Sequence, residues 1–172
     1  MITIRKAETS DAKGIARVHV DSWNETYKGI IPDEVLDGRT YERQEKMWKG
    51  ALAAALEDRA IFVAETDGGE VVGFITGGPN REPDKFDGFD AELYAVYVLK
   101  NAQGQGVGRK LTNSLTSFLG EKGYDSIMVW VVKDNPAVRF YARIGGRPIG
   151  KRTETMGGKE IEEMALGWDI SE

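Results

Sequence analysis

The chain has 172 residues, 41% hydrophobic and 30% charged, with a formal net charge of −5 at pH 7. These values are typical of one globular domain over 1–172, and they argue against nucleic-acid binding because no basic stripe is present. The absence of cysteine, a single histidine, the lack of an apolar run long enough to cross a membrane and an N-terminus without a signal-peptide pattern lead us to expect a cytoplasmic protein with no disulfide, metal site or membrane partner.

The first third of the chain predicts one strand followed by helices. Alternating residues over 1–7 favour a strand, and residues 9–23 have helical spacing with capping residues at the start. His19 falls on the apolar face of this helix, where we expect it to pack or cap rather than to react. Pro32 begins a short helix in a turn-rich connection, and residues 41–58 return to helical spacing.

The middle of the chain predicts three strands. Residues 60–65 and 71–78 are strand-like and are separated by a Gly-Gly turn typical of a hairpin. A polar loop leads to a long strand over 91–99. Strict alternation along this strand would place Glu92, Tyr94, Val96 and Val98 on one face and the intervening residues on the other.

The last part predicts a helix after residue 107, a buried strand over 126–132, a short helix after Asn135 and a final pair of strands. The order is strand, helices, two strands, then strand, glycine loop, helix, strand and helix, then two strands. This order predicts a single α/β domain with a mixed sheet.

The glycine loop between the long strand and its helix is the most informative stretch. Gly104, Gly106 and Gly108 alternate and are followed by Arg109 and Lys110. Backbone N–H groups at a helix N-terminus form a site for an anion, above all phosphate. The loop fits neither a Walker A motif nor a dinucleotide fingerprint, since both need residues that are absent here. A tight turn without a ligand is the alternative.

The loop and its surroundings resemble the GNAT superfamily of N-acetyltransferases. Gln103, Gly106 and Gly108 match the Gln/Arg-x-x-Gly-x-Gly/Ala acyl-CoA pattern, and Tyr97-Val98 precede it as in the family. A helix that begins near Asn135, carries Phe140-Tyr141 and closes at Gly145 also matches, whereas Lys100 and Ala102 depart from common family residues without touching the backbone cradle. The resemblance implies a mixed, mostly antiparallel twisted sheet of about six to seven strands, splayed at the central strands and flanked by about four helices.

The resemblance also implies the activity, which is acetyl transfer from acetyl-CoA to a primary amine by direct attack in a ternary complex, without a metal. It assigns cosubstrate binding to the strand end, the loop and the later helix. These residues are Val96, Tyr97, Val98, Gln103, Gly104, Gln105, Gly106, Val107, Gly108, Arg109, Lys110, Asn135, Phe140 and Tyr141. Asn135 could instead serve only as a helix cap.

Two residues are candidates for proton transfer. Tyr141 matches the general acid of the family, because a tyrosine keeps its proton at neutral pH and can give it to the leaving thiolate. The alternative is that Tyr141 only packs its helix on the sheet. Glu92 is a candidate base acting through water, although it could equally be a solvated strand end, and an amine that arrives deprotonated needs no base.

The acceptor is left open by the sequence. Trp23, Tyr27, Ile30 and Tyr94 are candidate substrate-binding residues, with a packing role as the alternative for the first helix region. The acceptor could be a small-molecule or a peptide amine, and the negative net charge favours a cationic small molecule slightly. Other interpretations are a non-catalytic acyl-CoA sensor and a nucleotide phosphate binder. Family members often form homodimers through sheet edges or C-terminal strands, and a monomer is the alternative here.

Overall fold

The computed structural model describes residues 1–54 and 56–170. Within these ranges the chain forms seven strands and five α-helices, with short 3₁₀ turns at Thr9–Asp11 and Lys100–Ala102. In chain order they are β1 Ile2–Lys6, α1 Ala12–Tyr27, α2 Asp33–Asp37, α3 Tyr41–Ala54, β2 Ala60–Thr66, β3 Val71–Pro79, β4 Ala91–Val98, α4 Val107–Glu121, β5 Ser126–Val132, α5 Ala137–Arg143, β6 Arg147–Met156 and β7 Lys159–Asp169.

The seven strands form one sheet in the order β1-β2-β3-β4-β5-β7-β6. All neighbours pair antiparallel except β4 and β5, which run parallel. The predicted mixed, mostly antiparallel sheet is therefore confirmed. The described helices number five instead of about four, because the turn that follows Pro32 forms the separate helix α2.

Helices cover both faces of the sheet. Leu111, Leu115 and Leu119 of α4 are fully buried against one face, where Gly77 of β3 makes room: a Cβ there would lie 2.7 Å from Leu115 Cδ2. On the opposite face Phe74 of β3 packs against α1 and α3. The two faces of the central strands are thus covered by different helices, α4 on one side and α1 with α3 on the other.

Strand β4 contains a bulge that the sequence pattern did not indicate. Thr76 of β3 pairs with Ala95 and Gly77 pairs with Leu93, so Tyr94 has no partner on β3. Beyond the bulge the side chains change faces, because alternation restarts one residue late. The predicted assignment of faces along β4 is therefore wrong past residue 94.

The parallel pairing of β4 with β5 is short. It covers only the three pairs from Ala91–Ile127 to Leu93–Val129, and the rest of β4 has no described neighbour on that side. The two central strands separate from Tyr94 onward, as the predicted splay required. The separation opens a gap in the middle of the sheet.

Candidate functional site

A cavity of about 810 Å³ occupies the gap between β4 and β5. Its walls are the last turns of α1, residues 94–98 of β4, the glycine loop, residues 129–131 of β5 and the start of α5. Its volume is in the range of small-molecule sites. Because it lies where the sheet itself is open, the cavity exposes the edge of β4 to a ligand.

The glycine loop forms one end of this cavity. Gly104 and Gly106 have φ of +79° and +77°, a conformation that costs other residues about 1–2 kcal/mol. A Cβ at either position would meet no atom within 4 Å, so open space lies above the backbone. Gly108 has an ordinary helical φ, and its Cβ would make a normal 3.6 Å contact with Phe140. Backbone conformation therefore requires glycine at 104 and 106 but not at 108.

The loop presents unpaired donors at the start of α4. Lys110 N–H donates to the Gly106 carbonyl, but the N–H groups from Gly104 to Arg109 donate to no other described residue. Lys100, Arg109 and Arg143 also line the cavity, and none of them forms a salt bridge within the described part of the chain. Free N–H groups, a helix N-terminus and unpaired cations together suit a diphosphate.

Most predicted cosubstrate residues meet in this one cavity. The residues that line it are Val96, Tyr97, Val98, Gln103, Gly104, Gly106, Val107, Gly108, Arg109, Asn135, Phe140 and Tyr141. Gln105 of the loop and Lys110 of α4 are exposed and do not line it. Gln103 also fixes the loop to β4, because its Nε2 donates to the Val98 carbonyl at 3.0 Å.

Tyr141 lies in the wall of the cavity on α5. It is 4% exposed and its ring stacks on Trp168 at 6.1 Å. Its hydroxyl group makes no hydrogen bond with any described residue and is therefore free to act on a ligand. Burial raises the pKa of Tyr141, so the phenol keeps its proton at neutral pH.

Asn135 connects α5 to α1. Its Oδ1 accepts the Ala137 N–H at 2.9 Å, which caps α5, and its Nδ2 donates to the Tyr27 hydroxyl at 3.0 Å. The predicted capping role is therefore present, and contact with a cosubstrate stays a prediction.

Glu92 is buried, so the alternative that it is a solvated strand end is wrong. It is only 2% exposed and does not line the cavity. Its Oε1 accepts the backbone N–H of Arg81 at 3.0 Å, and its Oε2 accepts the Arg81 Nη2 at 2.6 Å. The buried carboxylate is thus paired with a half-exposed arginine. A role of Glu92 as general base stays a prediction, because Glu92 has no direct contact with the cavity.

The predicted acceptor residues divide into two pairs. Tyr27 and Tyr94 line the cavity, whereas Trp23 and Ile30 do not. Trp23 lies behind the wall, because its Nε1 donates to the Tyr97 hydroxyl at 2.8 Å. Ile30 packs on a satellite apolar cluster at the end of α1.

His19 is a packing residue, as expected. It is 8% exposed, its Nδ1 accepts the Trp48 Nε1–H at 3.2 Å, and its ring stacks on Tyr97 at 5.6 Å. Burial, helped by the positive charge of Arg39, lowers the pKa of His19 to about 4. The imidazole is therefore neutral at physiological pH.

The sequence analysis missed several residues around this site. Trp130 lines the cavity from β5, and Ser22 and Thr26 line it from α1. The sequence analysis did not single out Trp130, because this residue lies in an apolar run that indicated only a buried strand. One aromatic residue among aliphatic ones could have indicated a site residue. Arg39 and Arg81 lie in irregular connections, where no periodicity indicates which way a side chain points.

Other classes of site find no support in the described residues. No group of three or more His, Cys, Asp or Glu side chains in the described ranges could hold a metal ion. None of the helices in those ranges is long and apolar enough to cross a membrane.

Comparison with known families and sequences gives matches over most of the chain. The model of the acetyltransferase (GNAT) family matches residues 17–146. An uncharacterized N-acetyltransferase, YuaI, from Bacillus subtilis (strain 168) is 38% identical over 172 residues, which covers 99% of this chain and 95% of the relative.

Solved structures show the same fold. The PaiA N-acetyltransferase from Thermoplasma acidophilum, in complex with coenzyme A, matches with a TM-score of 0.75 at 22% identity over 95% of this chain and 98% of its own. YncA from Salmonella typhimurium, with its cofactor acetyl-CoA, matches with a TM-score of 0.73 at 22% identity over 100% of this chain and 95% of its own.

Proposed function

Because the chain belongs to the acetyltransferase (GNAT) family, we propose that it transfers the acetyl group of acetyl-CoA to a primary amine by direct attack in a ternary complex. The observation that carries the proposal is the row of unpaired N–H groups from Gly104 to Arg109 at the end of the cavity between β4 and β5. A phosphate bound at the loop would accept hydrogen bonds from these donors, which otherwise face solvent.

The residues present fit the cosubstrate. The diphosphate would be held by the loop N–H groups, with Lys100, Arg109 and Arg143 supplying positive charge. Val96 to Val98 would hold the pantetheine arm, because this part of β4 has no described neighbour on its β5 side. A backbone N–H group near Val98 would polarise the thioester carbonyl.

Acetyl-CoA supplies a thioester whose carbonyl carbon accepts the amine and whose sulfur leaves as a thiolate. Tyr141 would give its hydroxyl proton to that sulfur, since the hydroxyl has no competing partner and lies in the cavity wall. Phe140, beside it, would pack against the loop at Gly108.

Proton removal from the amine would pass through water. Among the described carboxylates only Glu25 lines the cavity, and it lies at the loop end, where it accepts the Lys100 N–H at 3.3 Å. Glu92 could receive the proton only across the wall that Tyr94 forms. We therefore propose that water in the cavity takes the proton, and a role of Glu92 as the base stays a prediction.

We propose a single domain over 1–172 that works in the cytoplasm on a small-molecule or peptide amine. The described ranges support one domain because one sheet runs through them. Strand β6 forms one edge of the sheet, and a homodimer through that edge stays a prediction.

The proposed function is tested by measuring release of the coenzyme A thiol over a panel of amines. The chain has no cysteine, so a thiol reagent reports only the product of the reaction. We expect turnover with at least one amine. Tight binding of coenzyme A without thiol release from any amine would support the non-catalytic sensor instead, and the absence of coenzyme A binding would overturn the proposal.

A further inference from the structure

Three arginines stack on aromatic rings that lie in or next to the wall of the cavity. They make the shortest guanidinium–ring contacts among the described residues. They are Arg39 on Trp23 at 3.8 Å, Arg152 on Trp130 at 4.0 Å and Arg81 on Tyr94 at 4.4 Å, each measured to the ring centroid. Stacked guanidinium groups of this kind keep their in-plane donors free to bind a carboxylate.

Two of the three arginines have a carboxylate partner in the protein. Arg81 is paired with Glu92, and Arg152 Nε donates to Glu163 Oε1 at 2.9 Å. Both carboxylates are buried, with side chains 3% and 10% exposed. A stacked arginine with its own glutamate is therefore the ordinary arrangement in this part of the molecule.

Arg39 is the exception. Its side chain is half-buried, forms no salt bridge and donates no hydrogen bond within the described ranges, and its Nε is buried without a partner. Burying a guanidinium without a counter-charge is costly, and the burial lowers the pKa of Arg39. The protein thus holds a cation near the site and leaves its donors unfilled.

Arg39 is connected to the wall of the cavity through the aromatic ring on which it stacks. The ring on which it stacks, Trp23, donates to the Tyr97 hydroxyl and lies edge-on to Tyr27 at 4.9 Å. Tyr27 and Tyr97 both line the cavity. Arg39 is not itself a lining residue, since it lies behind this wall on Trp23, and an acceptor group that reaches Arg39 would lie next to the two tyrosines.

We propose that Arg39 binds a carboxylate of the acceptor, so that the substrate is an amine that also carries a carboxylate, as an amino acid does. The carboxylate of the acceptor pairs with Arg39 as the carboxylate of Glu92 pairs with Arg81 and that of Glu163 pairs with Arg152. The inference rests on the proposed function, and it selects an acid-bearing amine over the simple cationic amine that the net charge favoured.

The test compares matched acceptors that differ only in this group. Amino acids and their primary amides are used as pairs in the thiol-release assay with the wild-type chain, Arg39→Gln and Arg43→Gln. Arg43 is an exposed arginine of the same segment, whose Nη1 donates to the Gly38 carbonyl, and it is the control for loss of a positive charge.

We expect kcat/KM of the wild type to favour the acid over its amide, and Arg39→Gln to lower kcat/KM for the acid roughly 10- to 150-fold, the effect of losing a charge-assisted hydrogen bond. The amide should change little, and Arg43→Gln should behave as wild type. Equal use of acid and amide by the wild type, or an equal loss for both in Arg39→Gln, would overturn the inference while leaving the acetyltransferase function intact.

A binding measurement distinguishes a failure of this inference from a failure of the proposed function. If no amine of the panel is turned over, calorimetry of the same pairs on the protein saturated with coenzyme A decides the question. Binding of an acid that is weakened in Arg39→Gln supports the inference even where the proposed function fails. The absence of any acid-specific heat overturns it, whatever the outcome for coenzyme A.

Discussion

At the scale of single residues, Tyr141 is the side chain whose chemistry the account needs most. Tyr141→Phe removes only the hydroxyl, which has no hydrogen-bond partner among the described residues, so folding should be unaffected. We expect kcat to fall roughly 100-fold, as for loss of a general acid, with the Kd for coenzyme A unchanged. Steady-state kinetics and calorimetry measure the two quantities.

The control for Tyr141→Phe is Tyr124→Phe, which removes the same atom from a partly buried tyrosine that does not line the cavity. It should leave kcat unchanged. A Tyr141→Phe enzyme with wild-type kcat would assign Tyr141 to packing alone.

The variant Glu92→Gln tests whether this buried carboxylate, which is paired with Arg81, also takes part in proton transfer. Glu92→Gln weakens the pairing with Arg81, and we expect a loss of about 1–3 kcal/mol in the free energy of unfolding. Since Glu92 does not contact the cavity, kcat/KM should fall less than tenfold. A loss of 100-fold or more at nearly unchanged stability would instead favour the general base that the sequence suggested.

His19 makes stability depend on pH. Its pKa is about 4 in the folded state and near 6.5 when unfolded, so the unfolded state takes up the proton first as pH falls. The stabilisation is complete above pH 6.5 and is lost toward pH 4, by about 3 kcal/mol at most. Urea unfolding from pH 7 to pH 4 measures this loss.

Because His19 is the only histidine in the chain, His19→Gln provides the comparison. The variant should be less stable at pH 7 and should lose less stability between pH 6.5 and pH 4. Parallel pH curves for the two proteins would show that the buried imidazole is not the titrating group.

At the scale of elements, the glycine loop offers a matched pair of substitutions. Gly106 has φ of +77°, whereas Gly108 is helical and would place a Cβ in an ordinary contact. We expect Gly106→Ala to strain the loop by about 1–2 kcal/mol and to weaken coenzyme A binding about tenfold. Gly108→Ala should bind within about threefold of wild type and gain up to about 1 kcal/mol in helix stability.

Calorimetry with coenzyme A checks both variants. Equal weakening by the two substitutions would mean that any added methyl group blocks the ligand. No weakening by either would remove the loop from the binding site.

The helices and strands also show how much of the fold could be predicted from the sequence. The strands and helices follow from local periodicity, and the prediction of an anion site follows from glycines between a strand and a helix. The bulge at Tyr94 could not be predicted, because it depends on how β4 pairs with β3 and not on the residue types in β4. The burial of Glu92 has the same origin, since its partner Arg81 lies in an irregular loop.

At the scale of the whole molecule, binding should stabilise the fold. The cavity lies between the central strands, so a ligand there contacts both halves of the sheet. Coenzyme A at about 100 times its Kd should add about 2.7 kcal/mol and raise Tm by about 5–10 °C. A thermal shift assay measures this increase.

ATP and NAD are the comparison ligands, because they carry adenosine with a triphosphate or a diphosphate but have no pantetheine arm. We expect neither to raise Tm comparably. A larger shift with either nucleotide than with coenzyme A would support the nucleotide phosphate binder.

The part of the cavity proposed to bind the acceptor is the region that the sequence predicted least well. Tyr27 and Tyr94, two of the predicted substrate-binding residues, line the cavity. Trp130 lines it from β5, and Arg39 stacks on Trp23 behind its wall, and neither position follows from a local sequence pattern. Such contacts join residues far apart in the chain, and no local pattern encodes them. The cosubstrate end, in contrast, is formed largely by one continuous stretch.

The most direct test of the account is a crystal structure of the chain with coenzyme A. We expect diphosphate oxygens within about 2.7–3.2 Å of the backbone nitrogens between Gly104 and Arg109, and the sulfur end in the gap between β4 and β5 beside Tyr141. A complex with coenzyme A bound elsewhere, or with the loop N–H groups covered by the protein's own side chains, would contradict it.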